Sequence, residues 1–132
     1  MQRVLMVGGG IAGNTAAIAL AQRGVDCVIA EIQESWGAAG IGIGLHSPVL
    51  RAAKALGLFD EIVRIGRPQP YLAMTRADGG LIAEIPQLNV NDPGDPPFVA
   101  MSRMALHDLL VCAVRRHDVE VRLGTTADRL DE

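Results

Sequence analysis

The sequence predicts an α/β fold built on a parallel β-sheet, and three observations near its N-terminus carry that prediction. The apolar run 3–7 has the composition of a buried strand and leads into three consecutive glycines. An alanine-rich run at 10–23 predicts a helix, which Gly24 ends in the left-handed conformation that glycine favours. A second apolar run, 25–30, ends at Glu31. Strand, glycine turn, helix and strand form a β–α–β unit, whose crossover is almost always right-handed.

The glycine turn runs from Gly8 to Gly13 and has the spacing G-x-G-x-x-G. We expect Gly8 to permit a sharp turn off the strand, Gly10 to let the backbone approach a pyrophosphate, and Gly13 to let the helix pack closely on the sheet. The N–H groups at the helix start, including those of Ile11 and Ala12, would then face the phosphates with the positive end of the helix dipole. Glycine turns also occur for packing reasons alone, and the motif by itself leaves that alternative open.

Glu31 makes a dinucleotide site the favoured interpretation. It stands 18 residues after Gly13, close to the roughly 20 expected for the acid that accepts hydrogen bonds from a ribose. A solvated charge at the end of a strand is the alternative. A carboxylate here also argues against a phosphate on the 2′ position of that ribose, because the two negative charges would repel each other. The sequence therefore predicts a Rossmann-like nucleotide-binding unit.

The glycine-rich segment, residues 37–44, follows the second strand and contains four glycines. We interpret it as a loop without side-chain bulk, which is either a flexible linker or a partly buried segment beside a flat ligand. The isoleucines that alternate with these glycines favour the second interpretation, in which Gly42 and Gly44 contact a bound cofactor.

The rest of the chain predicts a mixture of helices and strands. The predicted elements are a helix from Ser47 to Gly57, a short helix at 59–65, a hairpin of strands 71–76 and 81–85, a helix at 103–116, a third parallel strand at 119–123 and a further strand from Leu130. Ser47 and Ser102 are the expected N-caps of their helices. The segment 89–97, rich in Asn, Asp and Pro, is expected as a surface loop that a partner could order. We place 68–98 as a hairpin excursion from a nucleotide-binding domain that otherwise covers 1–132.

Composition indicates a folded protein and excludes several classes of function. The chain has 132 residues, 49% hydrophobic and 20% charged, which suffices for one domain with a real core. A net charge of −3 gives no basic footprint for nucleic acid or an anionic membrane. Glycines interrupt the apolar N-terminus, and no apolar run approaches the roughly 20 residues of a membrane-spanning helix. The expected location is the cytoplasm, with no nucleic-acid or membrane partner.

The cysteines and histidines define no reactive centre. Cys27 and Cys112 lie in apolar runs and are expected as reduced core residues in preference to a disulfide. No group of His, Cys, Asp and Glu has the spacing of metal ligands, so no metal site is predicted. No catalytic residue is assigned; His46 beside the glycine-rich segment is the one candidate, with a surface or helix-start position as the alternative. His107 and His117 are expected to be exposed or at a helix end.

Four blocks in order resemble the FAD-dependent aromatic hydroxylases, the flavoprotein monooxygenases that include para-hydroxybenzoate hydroxylase and salicylate hydroxylase. The blocks are the glycine turn, Glu31, the stretch from Gly40 to Gly57 and the pattern Arg103-x-x-Leu106-x-x-x-Leu110. The resemblance implies FAD as cofactor, with the turn glycines at its pyrophosphate, Glu31 on the adenosine ribose and Arg103 near the phosphates or the flavin's linking chain. It also implies NAD(P)H as electron donor and hydroxylation of a small aromatic substrate through a flavin C4a-hydroperoxide.

Members of this family are much longer than 132 residues, so the resemblance implies that the chain is the N-terminal third of such an enzyme, as a gene fragment or a split subunit. Its sheet would then have unpaired edges, which favours self-association or a complementing C-terminal fragment. Two alternatives stay open: a non-catalytic nucleotide-binding or interaction module, and the FAD half of another flavoenzyme such as a halogenase, an epoxidase or a reductase. The lack of a paired-cysteine motif argues against a disulfide reductase.

Overall fold

The computed structural model describes residues 3–37 and 39–129, which form four helices and eight strands. The helices are α1 (Ile11–Ala21), α2 (Ser47–Ala55), α3 (Phe59–Ile65) and α4 (Arg103–Arg116). The strands are β1 (Arg3–Val7), β2 (Asp26–Ala30), β3 (Gly42–His46), β4 (Arg67–Gln69), β5 (Tyr71–Thr75), β6 (Leu81–Pro86), β7 (Phe98–Ser102) and β8 (Glu120–Arg122). The chain divides into two compact units: the first contains the residues up to Gly40 and those from Arg103 onward, and the second is Ile41–Ser102.

The first unit is built on a parallel sheet with the strand order β1-β2-β8. Val4 lies opposite Cys27, and Ile29 lies opposite Val121, so these alternate residues share one face of the sheet. Helices α1 and α4 pack against each other, and α1 also contacts β1 and β2. Ile29 is fully buried there. The predicted β–α–β unit and the predicted third parallel strand are both confirmed.

On the opposite face of this sheet, the side chains of β1 are exposed. Leu5 is 51% exposed and Val7 is 60% exposed. On the same face Arg3 forms ion pairs with Asp26, at 3.2 Å, and with Glu120. The charged partners are about half exposed, so these pairs contribute little to the free energy of unfolding.

The second unit contains an antiparallel sheet in the order β3-β7-β4 and a separate hairpin of β5 and β6. Leu45 lies opposite Val99, and both are buried together with Leu50 of α2 and Ile62 of α3. The hairpin follows the prediction closely, and its apolar side chains are largely exposed, as Leu81 at 55% illustrates.

Strand β3 corrects the expectation for the glycine-rich segment. The sequence predicts a loop over 37–44, whereas Gly42–His46 is a strand that pairs along its whole length with β7. Ile41 is 97% exposed and Leu45 is 3% exposed, so the burial that the pattern predicts begins only within the strand. Glycine is a weak strand former, and the pairing with β7 therefore overrides the local preference.

The loop 89–97 lies at the surface, as expected, and contacts within its own unit hold it. Lys54 Nζ on α2 lies 2.7 Å from the Asp92 carboxylate and 2.8 Å from the Asp95 carboxylate. These two hydrogen bonds raise the pKa of Lys54 and therefore favour its charged form. No further partner is needed to explain the order of this loop.

Ser47 has a different role from the predicted helix cap. His46 occupies the N-cap position of α2, and Ser47 is 1% exposed at the first helical position. The Ser47 hydroxyl donates to the Leu88 carbonyl at 2.8 Å and accepts the Val90 N–H at 3.2 Å. Ser47 thus fastens the start of the surface loop to α2.

The two cysteines are free thiols in different environments. Cys27 is buried as predicted, and its burial raises the pKa of the thiol, with a smaller contribution from Asp26. Cys112 is exposed, so the prediction of a core position is wrong. On α4 it lies next to the buried stripe that contains Val111 and Ala113, and it turns toward solvent instead.

Over the described residues, no helix combines the length and apolar character needed to cross a membrane. The same residues contain no group of three or more His, Cys, Asp or Glu side chains that could hold a metal ion. The strand predicted from Leu130 lies outside the residues that the structure describes.

Candidate nucleotide-binding site

The glycine turn joins β1 to α1, and each of its motif glycines has a different environment. Gly8 has φ of +105° and donates its N–H to the Ala30 carbonyl at 2.7 Å, so it turns the chain while staying bonded to β2. A Cβ on Gly13 would lie 2.0 Å from the Gly8 carbonyl oxygen. A Cβ on Gly8 or Gly10 would meet no described atom within 4 Å. The backbone of the turn is therefore tightly packed at Gly13, and it leaves unoccupied space beside Gly8 and Gly10.

The N-terminus of α1 is free of side-chain caps. Gly10 is the N-cap residue, with no side-chain hydrogen bond, and its carbonyl accepts the Asn14 N–H at 3.0 Å. The first turn, which begins with Ile11 and Ala12, contains no acidic residue. A helix start of this kind presents N–H groups and a partial positive charge, which together bind anions such as phosphate.

Glu31 closes one side of the turn. Its Oε2 accepts the Gly9 N–H at 2.7 Å, and its Oε1 accepts the Gln33 N–H at 2.9 Å. These hydrogen bonds, with that of Gln33 the larger, lower the pKa of Glu31. A charged carboxylate has lone pairs beyond the two used here, so it can still accept hydrogen bonds from ribose hydroxyls.

Two further side chains reach the turn, and sequence reasoning missed both. Trp36 Nε1 donates to the Gly9 carbonyl at 2.9 Å, and His107 Nε2 lies 2.9 Å from the same oxygen. His107 is 1% exposed, so the expectation of an exposed or helix-terminal histidine is wrong, whereas His117 is exposed just after α4 as expected. The spacing of His107 with the apolar stripe of α4, three residues before Leu110, was the available signal.

Arg103, the first residue of α4, lies one helical turn before His107. Its Nη1 donates to the Ala39 carbonyl at 2.8 Å. A Cβ on Gly40 would lie 2.9 Å from the Arg103 Cδ, so the arginine stem packs directly on this glycine. The guanidinium is thereby fixed at the start of α4 and retains further N–H groups for an anion.

Gly42 and Gly44 belong to β3 in the second unit. A Cβ on Gly44 would lie 2.6 Å from the Phe98 ring, whereas one on Gly42 would make an ordinary contact of 3.7 Å with the Met101 carbonyl. His46, the candidate for a catalytic role, is exposed and meets the Phe98 ring edge-on at 5.0 Å. Gly44 thus has a packing reason for lacking a side chain, whereas Gly42 has none among the described residues.

Comparison with known proteins decides the kind of nucleotide. A family described as the FAD binding domain matches residues 1–131 of the chain. The chain belongs to this family. The Rossmann-like turn, the uncapped helix start and the acid at the end of β2 are thus parts of an FAD-binding domain.

The FAD-binding domain is similar to two curated relatives and to one solved structure. It is 33% identical to 3-amino-4-hydroxybenzoate 2-monooxygenase from Streptomyces cremeus, over 98% of this chain and 33% of the relative. It is 35% identical to a putative 2-heptyl-3-hydroxy-4(1H)-quinolone synthase from Rhodococcus erythropolis, over 96% of this chain and 32% of the relative. The structure of 2-methyl-3-hydroxypyridine-5-carboxylic acid oxygenase superposes with a TM-score of 0.83 at 30% identity, over 99% of this chain and 34% of that one. The chain spans about a third of the length of these relatives.

The residues of the turn fit the nucleotide half of FAD. Open space at Gly8 and Gly10 admits a phosphate close to the backbone, and the closed side at Gly13 seats the helix start against the strand. Glu31 supplies a charged acceptor beside the same turn. Free N–H groups at a helix start and a carboxylate beside the same turn are the donors and the acceptor that a pyrophosphate and a ribose require.

Proposed function

We propose that this FAD-binding domain serves an NAD(P)H-dependent flavoprotein monooxygenase that hydroxylates a small aromatic substrate. The observation that carries the proposal is the Glu31 carboxylate on the Gly9 N–H, in a chain that matches the family over 1–131. The name of the Streptomyces relative, at 33% identity, supports an aromatic acid as the kind of substrate. Because the chain spans a third of that relative, the hydroxylation itself is proposed for the whole protein. We place it in the cytoplasm, in keeping with the two free thiols.

The pyrophosphate of FAD is proposed to lie at the start of α1. Gly8 and Gly10 would let it approach the backbone, Gly13 would hold the helix in place, and Ile11 and Ala12 would direct their N–H groups at it. Glu31 would accept hydrogen bonds from the adenosine ribose hydroxyls. This assignment is supported by the open space at two of the glycines and by the uncapped helix.

Three further residues are proposed, from the sequence alone, to contact the cofactor. Arg103 would pair with a phosphate or the linking chain, since a guanidinium at a helix start can meet an anion through two N–H groups. Gly42 and Gly44 would offer their backbone to the flavin. The excursion at 68–98, with its exposed apolar hairpin, is proposed to extend toward the part of the enzyme that binds substrate.

FAD supplies the redox and oxygen chemistry when it is bound, and the protein contributes binding, orientation and exclusion of water. The part of this chain is to fix the nucleotide. Glu31 would hold the ribose end, and the N-terminus of α1 would neutralise the phosphates.

The binding proposal is tested by titrating FAD into the purified chain and following quenching of flavin fluorescence. Glu31→Ala should weaken FAD affinity about ten- to a hundredfold, because hydrogen bonds to a charged group contribute roughly 1.5–3 kcal/mol. Glu34→Ala, which removes an exposed carboxylate three residues away, is the matched control and should leave affinity unchanged. Equal affinity of wild type and Glu31→Ala would remove Glu31 from the site.

A second measurement separates a catalytic protein from a nucleotide-binding module. NADH oxidation is followed with FAD present, with and without 3-amino-4-hydroxybenzoate as a probe. FAD binding without any oxidation of NADH would assign to this chain the binding role alone, which its one-third share of the relatives' length favours. Oxidation of NADH that 3-amino-4-hydroxybenzoate stimulates would contradict the interpretation of this chain as a nucleotide-binding module.

A further inference from the structure

The carbonyl of Gly9, inside the glycine turn, is held by two side chains from distant parts of the first unit. Trp36 Nε1 and His107 Nε2 each lie 2.9 Å from this oxygen. The two rings meet edge-on with their centroids 6.4 Å apart, and the Arg115 guanidinium lies 5.8 Å over the Trp36 ring. His107 is 1% exposed. The direction of the Gly9 carbonyl is therefore fixed by rings that are themselves packed in place.

Both contacts are donations to the carbonyl. The indole N–H of Trp36 can only donate, and a carbonyl oxygen carries two lone pairs and no hydrogen. His107 Nε2 must therefore carry a hydrogen, which assigns the tautomer. Nδ1 of the same ring is buried without a hydrogen-bond partner among the described residues, as suits the nitrogen that lacks a hydrogen in a neutral ring.

This arrangement sets the direction of the next N–H along the chain. The Gly9 carbonyl and the Gly10 N–H belong to one peptide plane, and the described chain contains no cis peptide bond. In a trans peptide these two groups point in opposite directions. Because the carbonyl points at Trp36 and His107, the Gly10 N–H points away from them.

Three other polar groups of the turn are already bonded within the protein. The Gly8 N–H donates to Ala30, the Gly9 N–H donates to Glu31, and the Gly10 carbonyl accepts from Asn14. The Gly10 N–H has no acceptor in the part of the chain that the structure describes, and the space at the Gly10 Cβ position is open. It therefore remains for a ligand, together with the first N–H groups of α1.

We infer that Trp36 and His107 are positioning residues that aim and polarise the Gly10 N–H toward a phosphate of the bound nucleotide. The inference rests on the proposed function, since it takes the anion to be the FAD pyrophosphate. Two donors on a peptide carbonyl draw electron density from the amide and make its N–H a stronger donor. They also prevent the glycine-rich backbone from rotating this peptide away, which two adjacent glycines would otherwise allow at little cost.

The inference is tested by comparing ADP with adenosine as probes of wild type, His107→Leu, His107→Gln and Trp36→Phe. Loss of a donor should weaken ADP binding about three- to tenfold, while adenosine, which lacks phosphates, keeps its affinity. His107→Gln places an amide N–H within reach of the same carbonyl and should restore most of the loss seen in His107→Leu. Trp36→Phe keeps an aromatic ring without a donor, and it carries the same test if His107→Leu fails to fold.

Parallel losses for ADP and adenosine, or no loss in any variant, would overturn the inference in favour of a purely structural role. A second readout needs no ligand: the Gly10 amide ¹⁵N resonance should move upfield in His107→Leu and Trp36→Phe and return in His107→Gln. If wild type binds neither FAD nor ADP, the proposed function fails. An unchanged Gly10 resonance in the variants would instead refute the polarisation by Trp36 and His107.

Discussion

The chain has two glycine-rich stretches, the turn from Gly8 to Gly13 and the segment 37–44, and two glycines of one stretch have environments opposite to those of two glycines of the other. In the turn, a Cβ on Gly8 or Gly10 would meet no described atom within 4 Å. Polar side chains hold the backbone between them from outside, through both the N–H and the carbonyl of Gly9. Gly8 and Gly10 thus leave room that the described residues do not fill.

At Gly40 and Gly44 of the segment 37–44 the corresponding room is occupied by the protein. The Arg103 stem lies 2.9 Å from the Cβ position of Gly40, and the Phe98 ring lies 2.6 Å from that of Gly44. Gly40 and Arg103 both belong to the first unit, and Gly44 and Phe98 both belong to the second. The same residue type therefore has two physical meanings: it admits a ligand where space stays open, and it admits a neighbouring side chain where space is filled.

Gly13 is the member of the turn whose substitution should have the largest effect on folding. A Cβ would lie 2.0 Å from the Gly8 carbonyl oxygen, and backbone atoms on both sides cannot yield without moving α1 off the strand. We expect Gly13→Ala to lower the free energy of unfolding by about 3 kcal/mol or more. Urea denaturation of Gly13→Ala measures this. Gly37→Ala is the control, because a Cβ there would meet no described atom within 4 Å. Equal urea midpoints for the two variants would contradict the close packing inferred at Gly13.

Substitution of Gly10 should lower the affinity for FAD without lowering the free energy of unfolding. Its backbone has φ of −79° at an open position, so Gly10→Ala should fold as well as wild type. The added methyl group would stand where a phosphate approaches the backbone, and we expect FAD affinity to fall about tenfold or more. Fluorescence titration and urea denaturation of the same variant measure the two quantities. A Gly10→Ala variant that binds FAD like wild type would show that the open space is not used by the cofactor.

Substitution of Gly44 tests whether the Phe98 ring fills the space beside this glycine of the segment 37–44. The Phe98 ring stands in the way of any Cβ there, so Gly44→Ala should cost about 1–3 kcal/mol of stability through overpacking. Combining it with Phe98→Leu should recover part of that loss, which a double-mutant cycle of unfolding free energies detects. Additive effects of the two substitutions would mean that Phe98 does not fill the space at Gly44.

The first half of the site could be predicted from sequence because its signals are local. Strand β1, the turn and α1 follow one another without interruption, and Glu31 ends the next strand at a fixed distance from Gly13. The parallel pairing follows from the β–α–β connection itself. Each of these features depends on residues within one short stretch, where composition and spacing suffice.

The second half of the site could not be predicted because it depends on distant residues that meet only in the folded chain. His107 is 98 residues from Gly9, and nothing near His107 in the sequence indicates a carbonyl partner. Strand β3 likewise depends on β7, where Gly42 lies opposite Ser102, and its glycines disfavour a strand locally. A histidine in register with a buried leucine stripe was a signal for burial, although not for the contact it makes.

The smallest effect on stability is expected from protonation of Glu31, whose carboxylate accepts the Gly9 N–H of the turn. Hydrogen bonds from Gln33 and Gly9 lower its pKa below the ordinary value of 4.5. A lowered pKa in the folded state means that Glu31 stabilises the fold above the unfolded pKa, and that this contribution is lost as pH falls through the folded pKa. Glu31→Gln should therefore be less stable than wild type at pH 7, by about 1 kcal/mol for a partly exposed group.

The gap in stability between wild type and Glu31→Gln should close as the pH is lowered from 5 toward and below the folded pKa of Glu31, because both side chains are then uncharged. Urea denaturation of both proteins across this range measures it, with Glu34→Gln as the control for removing an exposed charge. A gap that stays constant with pH would mean that the Gly9 N–H gains nothing from the carboxylate charge. The backbone of the turn would then be held by packing at Gly13 and by the donors of Trp36 and His107 on the Gly9 carbonyl.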